Sequence, residues 1–151
     1  LELFLHEVLG LPWDKVHQEA EQLEHASSDI VINKMEEILD FPKFDPHGDP
    51  IPAIDGTIPE LTGADFLNQM TPGDRVEVVR VQNENEAFLV YIQSIGIKLG
   101  TVLEITEYLP FDQSLKVKIE NKEVLLSLYS TKNLWVRHIN LKKKTKGATK
   151  K

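Results

Sequence analysis

Cysteine is absent from all 151 residues. That excludes disulfide scaffolds, zinc ribbons, iron–sulfur sites and cysteine nucleophiles. No apolar run approaches the ~18–20 residues needed to cross a bilayer, and no basic-then-apolar leader pattern opens the chain; a cytoplasmic protein without a membrane partner is expected. No Gly-x-Ser-x-Gly, phosphate loop or dinucleotide fingerprint occurs, and no nucleophile–base–acid set is visible, so an enzyme is not expected. Lysine and arginine (17) are outnumbered by aspartate and glutamate (24), and the net charge of −7 argues against a nucleic-acid-binding surface over the chain as a whole. Apolar residues make up 41%, enough for a core and too many for wholesale disorder. The length allows one or two small domains.

Charge is unevenly divided. Residues 1–60 hold 14 acidic residues and 3 Lys/Arg, a balance of −11, and four of the five histidines; the remainder balances at +4. Carboxylate oxygen with imidazole nitrogen is a composition that binds hard or borderline divalent metals. Taken singly, each carboxylate reads as ordinary solvated surface.

Leu1 to Leu9 reads as the middle of an amphipathic helix with no N-cap before it, as expected of a fragment whose upstream part has been removed. Leu9-Gly-Leu-Pro12 breaks it, with Pro opening a second helix over about 13–26. Ser27-Ser28-Asp29 offers an N-cap for a third over about 29–39, with Ile30, Val31, Met35, Ile38 and Leu39 on a wide apolar face. Three such short helices need further cover from another part of the chain or another copy. Residues 41–63, rich in proline, form a linker or ordered loop. From about 64 the pattern is mostly β: strands over 75–82, 101–108, 115–120, 122–128 and 134–139, a helix over 86–95 ended by Gly96, and a hairpin turn at Asn121. The expected fold class is α+β, a small helical domain (1–60) followed by a small SH3-like β-barrel domain (61–140). The tail 141–151 is lysine-rich; it reads as a disordered, solubilising terminus or as a contact for nucleic-acid phosphates.

The second helix carries His17, Glu21, Glu24 and His25. At about 100° per residue they fall at about 0°, 40°, −20° and 80°, inside one arc of about 100°. Val16, Ala20 and Leu23 occupy the neighbouring arc and face a core. Two imidazoles and two carboxylates in one stripe suit manganese, ferrous iron, zinc, cobalt or nickel better than calcium; the competing reading is a charged face with i,i+4 pairs. Asp45-Pro46-His47-Gly48 is a second candidate and Glu2 a third.

Trp13 to Asp29 together with Asp45-Pro-His-Gly-Asp-Pro-Ile-Pro52 resembles the metal-binding and dimerisation domain of the diphtheria-toxin-repressor family of iron- or manganese-dependent transcriptional regulators. Residues 61–140, with Pro72-Gly-Asp74 and Ser94-Ile-Gly-Ile-Lys-Leu-Gly100, resemble that family's SH3-like domain, which is shared with ferrous-iron transport A proteins. The resemblance implies two metal sites. Glu21, Glu24 and His25 match ligands of the activating site; iron-responsive members carry cysteine where Glu21 stands, so glutamate there implies manganese over iron, with Zn2+, Co2+ or Ni2+ able to substitute. Glu2 and His17 match ancillary-site ligands, which Asp45 and His47 join in some manganese-type members, and Glu84 or Glu86 is the match for a carboxylate from the SH3-like domain. The apolar faces of the first and third helices, with Phe4, Val8, Ile32, Met35 and Leu39, are the expected homodimer seam, or else part of the core.

The family's winged helix-turn-helix has no counterpart in these residues. The resemblance therefore implies a C-terminal part of a metal-dependent repressor that dimerises, binds divalent metal weakly, and leaves operator DNA to the missing N-terminal domain. A sequence-specific gel shift with this chain would contradict that. Two other readings compete: an SH3-like interaction module regulating a metal-ion transporter, supported by the second half of the chain, and a metal-dependent hydrolase.

Overall fold

The structure, a computed structural model, describes residues 1–53, 55–83 and 85–139. The candidate ligand Glu84 and the basic tail lie outside the described residues. The fold class is α+β, as the sequence suggests: three helices, then a six-stranded sheet with two further helices.

By packing, the chain divides into two units, residues 1–62 with 80–99, and residues 63–79 with those from 100 onward. Segment 80–99, placed by the sequence reading within the second domain, packs with the helices. Three polar ties account for this: the Val81 N–H donates to the His47 carbonyl at 2.8 Å, Arg80 pairs with Asp49, and Lys15 pairs with Glu86.

In the helical unit, α1 (Glu2–Glu7) packs on α2 (Val16–Glu24). Leu5, Val16 and Ala20 are buried together, with Leu1 and Leu11 against them; Val16 and Ala20 meet α1 because i and i+4 share a helix face. Gly10, at φ +72°, turns the chain back so that the Leu11 N–H reaches the Leu5 carbonyl at 3.0 Å. Helix α2 begins three residues later than the sequence suggests, because Trp13-Asp14-Lys15 closes a turn on the Pro12 carbonyl instead (Lys15 N–H to Pro12 O, 2.9 Å). Helix α3 (Asp29–Ile38) is capped by Ser28, whose Oγ accepts from the Val31 N–H at 3.4 Å. It contributes no buried residue. Asp40 and Phe41 both take positive φ (57° and 50°), which ends the helix ahead of Pro42 without glycine. Helix α4 (Glu86–Ser94) is capped by Asn85, and buries Phe88, Leu89 and Ile92.

The second unit is built on strands β1 (Ala64–Phe66), β2 (Arg75–Val81, whose last two residues belong to the helical unit), β3 (Val102–Leu109), β4 (Ser114–Ile119), β5 (Lys122–Leu126) and β6 (Leu134–His138), in the order β1-β6-β2-β3-β4-β5. Alternate residues Val76 and Val78, Leu103 and Ile105, and Leu115 and Val117 are fully or almost fully buried, the period-2 pattern of a sheet with one face on a core. Helix α5 (Leu128–Lys132) and strand β1 were not anticipated. Both are too short to show a period.

The turn before β2 supports one stability prediction. Asp74 Oδ2 accepts from the Thr71 N–H at 2.8 Å and from its hydroxyl at 3.2 Å. The Thr71 amide, with help from His138, holds the Asp74 carboxyl below its ordinary value. A lowered folded-state value means stability present above the unfolded value and lost as pH falls through the folded one. Asp74→Ala is expected to cost up to about 1 kcal/mol near pH 7. Urea unfolding across pH 2 to 7 checks this: the gap between variant and parent closes toward the acid end.

Candidate metal centre

Three residues from two distant stretches of sequence meet in the helical unit. Glu2 opens α1, Asp45 and His47 sit on the proline-bounded turn, and a ligand atom of each lies within 4.8 Å of the others. The turn is built by Asp45, whose Oδ1 accepts from the N–H groups of His47 and Asp49, both at 2.8 Å. The Asp45 N–H donates to the Asp49 carbonyl at 2.8 Å and the Gly48 N–H to the Asp45 carbonyl at 3.1 Å, with Gly48 at φ 85°, where glycine carries no Cβ penalty. His47 is buried, 1% exposed, and its ring lies 5.6 Å from that of Trp13.

His47 Nε2 lies 3.2 Å from the Trp13 carbonyl. A carbonyl only accepts, so Nε2 carries the proton and donates, and Nδ1 turns to Glu2. Glu2 Oε2 is 3.6 Å from that nitrogen, too far for a hydrogen bond. Among the described residues, both are buried atoms without a hydrogen-bond partner. Orphaned buried polar atoms are costly, and two acceptor lone pairs facing each other call for a cation between them. Both a proton and a divalent metal ion meet that need, and an imidazole nitrogen with two carboxylates is a donor set suited to Mn2+, Fe2+ or Zn2+. The residues fit such an ion.

The electrostatics agree. His47 first, then His17, holds the Glu2 carboxyl below its ordinary value, against burial, which raises it. Burial pushes the His47 imidazole down, but the Glu2 and Asp45 carboxylates and the Trp13 carbonyl outweigh it, and the net displacement is upward. Burial, with the Asp49 charge behind it, raises Asp45 above its ordinary value, although backbone donors at Asp49 and His47 oppose this.

The remaining candidates are placed differently. His17 stands behind Glu2, Nδ1 at 2.8 Å from Oε1, and its Nε2 is 3.5 Å from Glu21. Glu21, Glu24 and His25 are exposed at the C-terminal end of α2. Their shared helix face does not bring their ligand atoms into a cluster of the Glu2–Asp45–His47 kind; that group alone qualifies among the described residues. Glu86 is engaged by Lys15. Of the expected seam, Val8 is exposed while Phe4, Ile32, Met35 and Leu39 are half-buried. Sequence reasoning passed over the Trp13 carbonyl, Asp49 and Arg80, for which neither spacing nor composition carries a signal.

Two family models match the chain: the metal-binding and dimerisation domain of iron-dependent repressors over residues 1–53, and the FeoA domain over residues 67–138. The chain is 39% identical over 85 residues to the iron-dependent repressor IdeR of Mycobacterium tuberculosis, covering 52% of this chain and 36% of that protein. It is 32% identical over 120 residues to the diphtheria toxin repressor of Corynebacterium diphtheriae, covering 70% and 51%. Among solved structures, a manganese-dependent transcriptional repressor in complex with manganese superposes with a TM-score of 0.85 at 38% identity, over 92% of this chain and 66% of that one. Another, also a manganese-dependent transcriptional repressor, superposes with a TM-score of 0.82 at 39% identity, over 92% and 76%. The chain belongs to the diphtheria-toxin-repressor family of metal-dependent transcriptional regulators. It spans about half the length, or less, of the curated relatives it matches.

Proposed function

We propose that this chain is the metal-sensing and dimerising part of a cytoplasmic transcriptional repressor, with Mn2+ (or Fe2+) as corepressor and no catalytic role, and that residues outside these 151 contact the operator DNA. The observation that carries the reading is the convergence of Glu2, Asp45 and His47 with two orphaned buried atoms among them. Similarity to manganese- and iron-dependent repressors supports the choice of metals. An interaction module serving a transporter has no use for such a cluster.

A bound divalent ion supplies the positive charge that lets two carboxylates and an imidazole share so small a volume. Glu2 ties α1 to the proline-bounded turn, so a tighter grip in one arrangement of α1 selects that arrangement. His17 steadies Glu2 through Oε1 and touches Glu21, so the face carrying Glu21, Glu24 and His25, the proposed activating ligands, adjoins the buried cluster. In the domain reading that fits the family, residues 1–60 form the metal-binding and dimerisation domain and 61–140 the SH3-like domain, with 80–99 returning to the first. Glu84 remains the proposed carboxylate contributed by the later segment.

Calorimetric titration with Mn2+, Fe2+ and Zn2+ tests the reading, and saturable binding of at least one is expected. At a hundredfold excess over Kd, ligation stabilises the folded chain by about 2.7 kcal/mol, visible as a raised thermal midpoint that chelator reverses. The absence of both heat and shift for all three metals would defeat the proposal.

A further inference from the structure

The proline-bounded turn is gripped at His47 and at Asp49 by two consecutive residues at the end of β2. The Val81 N–H donates to the His47 carbonyl at 2.8 Å, and the Arg80 guanidinium donates through Nε to Asp49 Oδ1. Asp49 in turn exchanges two backbone contacts with Asp45, its N–H to Asp45 Oδ1 and its carbonyl from the Asp45 N–H, both at 2.8 Å. The Arg80–Asp49 pair is only about a quarter exposed on each side, which removes much of the solvent screening that makes surface pairs weak. Beyond the turn the same loop closes by an antiparallel bridge between Phe44 and Pro50. His47 thus sits at the tip of a small hairpin, its ring held by the Trp13 carbonyl and the backbone around it by residues 80 and 81.

We infer that Arg80, acting through Asp49, is a positioning residue for the metal centre: it holds the 45–49 turn in the conformation that aims Asp45 and His47 at Glu2, so the end of β2 is part of the machinery that sets metal affinity. The inference rests on the Glu2–Asp45–His47 reading. It makes a prediction opposite in sign to simple charge bookkeeping. If Arg80 acted only as a nearby positive charge, removing it would tighten cation binding, and removing the Asp49 carboxylate would weaken it. As a positioning pair, either removal loosens the turn and weakens binding.

The test is a double-mutant cycle on the full 151-residue chain, with Mn2+ affinity read by calorimetry and the metal-free thermal midpoint recorded for each protein. Arg80→Met and Asp49→Ala are each expected to weaken Mn2+ binding about 10- to 100-fold, the range for residues that orient ligands. The double variant should lose no more than the worse single one, because the two act as one unit. Arg80→Lys keeps the ion pair without the planar donor fork and should fall between. Tighter binding in Arg80→Met, additive losses, or a lowered midpoint with unchanged affinity would each overturn the assignment. His47→Ala in parallel separates the failures: if it binds Mn2+ as the parent does, the cluster reading falls and this inference with it. If it loses binding while Arg80→Met does not, only the role of Arg80 falls.

Discussion

Glu2→Gln and His47→Ala are each expected to weaken Mn2+ binding on the order of 100-fold or more, beyond the 10- to 100-fold typical of residues that merely orient ligands. Glu2→Gln is nearly isosteric. It removes the negative charge that faces His47 Nδ1 across 3.6 Å and leaves the packing of α1 intact. His47→Ala deletes the only buried imidazole among the described residues. Asp45→Asn is the informative third variant: its amide oxygen can still accept from the His47 and Asp49 N–H groups that build the turn, so a loss of affinity there reports the charge and not the loop. Glu21→Ala/Glu24→Ala, on the exposed face of α2, should leave this binding event in place. Calorimetry on the four variants decides, with the metal-induced thermal shift as a second readout. Loss in the α2 double variant with retention in Glu2→Gln would move the primary site to the exposed face.

The metal-free protein should behave consistently with this. Without a cation, Glu2 Oε2 and His47 Nδ1 are both orphaned, and in Glu2→Gln the side-chain amide can donate to Nδ1 and satisfy the pair without a cation. The variant that destroys the metal site should therefore cost the metal-free fold little, while forfeiting the whole stabilisation that metal provides. Divergence of that kind between stability and affinity is what distinguishes a ligand from a structural residue.

The sequence displays some of this arrangement and hides the rest for identifiable reasons. Helix α3 was legible because its cap and its apolar period lie within ten residues of one another, and the strands because β-branched residues alternate with polar ones over most of their lengths. The His17–Glu21–Glu24–His25 stripe was legible as a stripe because helical geometry fixes relative angles within one element. Whether such a stripe becomes a site depends on what packs opposite it, and periodicity is silent on that. The Glu2–Asp45–His47 cluster runs the other way. Each residue was a candidate on local grounds, but their convergence depends on α1 packing against α2 through Leu5, Val16 and Ala20 and on a turn built by Asp45, which together bring Glu2 to residues more than 40 positions away. The allegiance of 80–99 was hidden for the same reason. A seven-residue strand pattern through Val81 gives no sign that its last two residues serve the His47 turn.

The second large effect concerns association. Ile30, Val31 and Ile38 are 75%, 44% and 65% exposed on α3, and Val8 and Leu9 on the preceding segment are 47% and 58% exposed. At about 100° per residue, Ile30, Ile38 and Val31 span an arc from about 0° to 100°, and Met35, Leu39 and Ile32 continue it to about 200°. The second half of the arc is half-buried within the chain and the first half is open, so α3 is apolar over more of its surface than one chain covers. A contiguous exposed patch of this kind marks an interaction site, and the match of residues 1–53 to a dimerisation domain supports a second copy as its cover. Ile38→Glu should therefore leave the isolated chain folded, since the side chain is mostly exposed there, and weaken the homodimer by about 2 to 4 kcal/mol, roughly 30- to 1,000-fold in Kd, as for a central interface residue. Ile32→Glu strikes the half-buried side and should damage both the dimer and the fold. Sedimentation velocity over a concentration series, with urea unfolding at the lowest concentration, separates the two. A monomeric parent chain at every concentration, or an Ile38→Glu variant that dimerises as tightly as the parent, would remove α3 from the seam. Conversely, monomerisation by Ile38→Glu with Mn2+ affinity unchanged would show that Glu2, Asp45 and His47 form a centre complete within one protomer, and that association and metal loading are energetically independent.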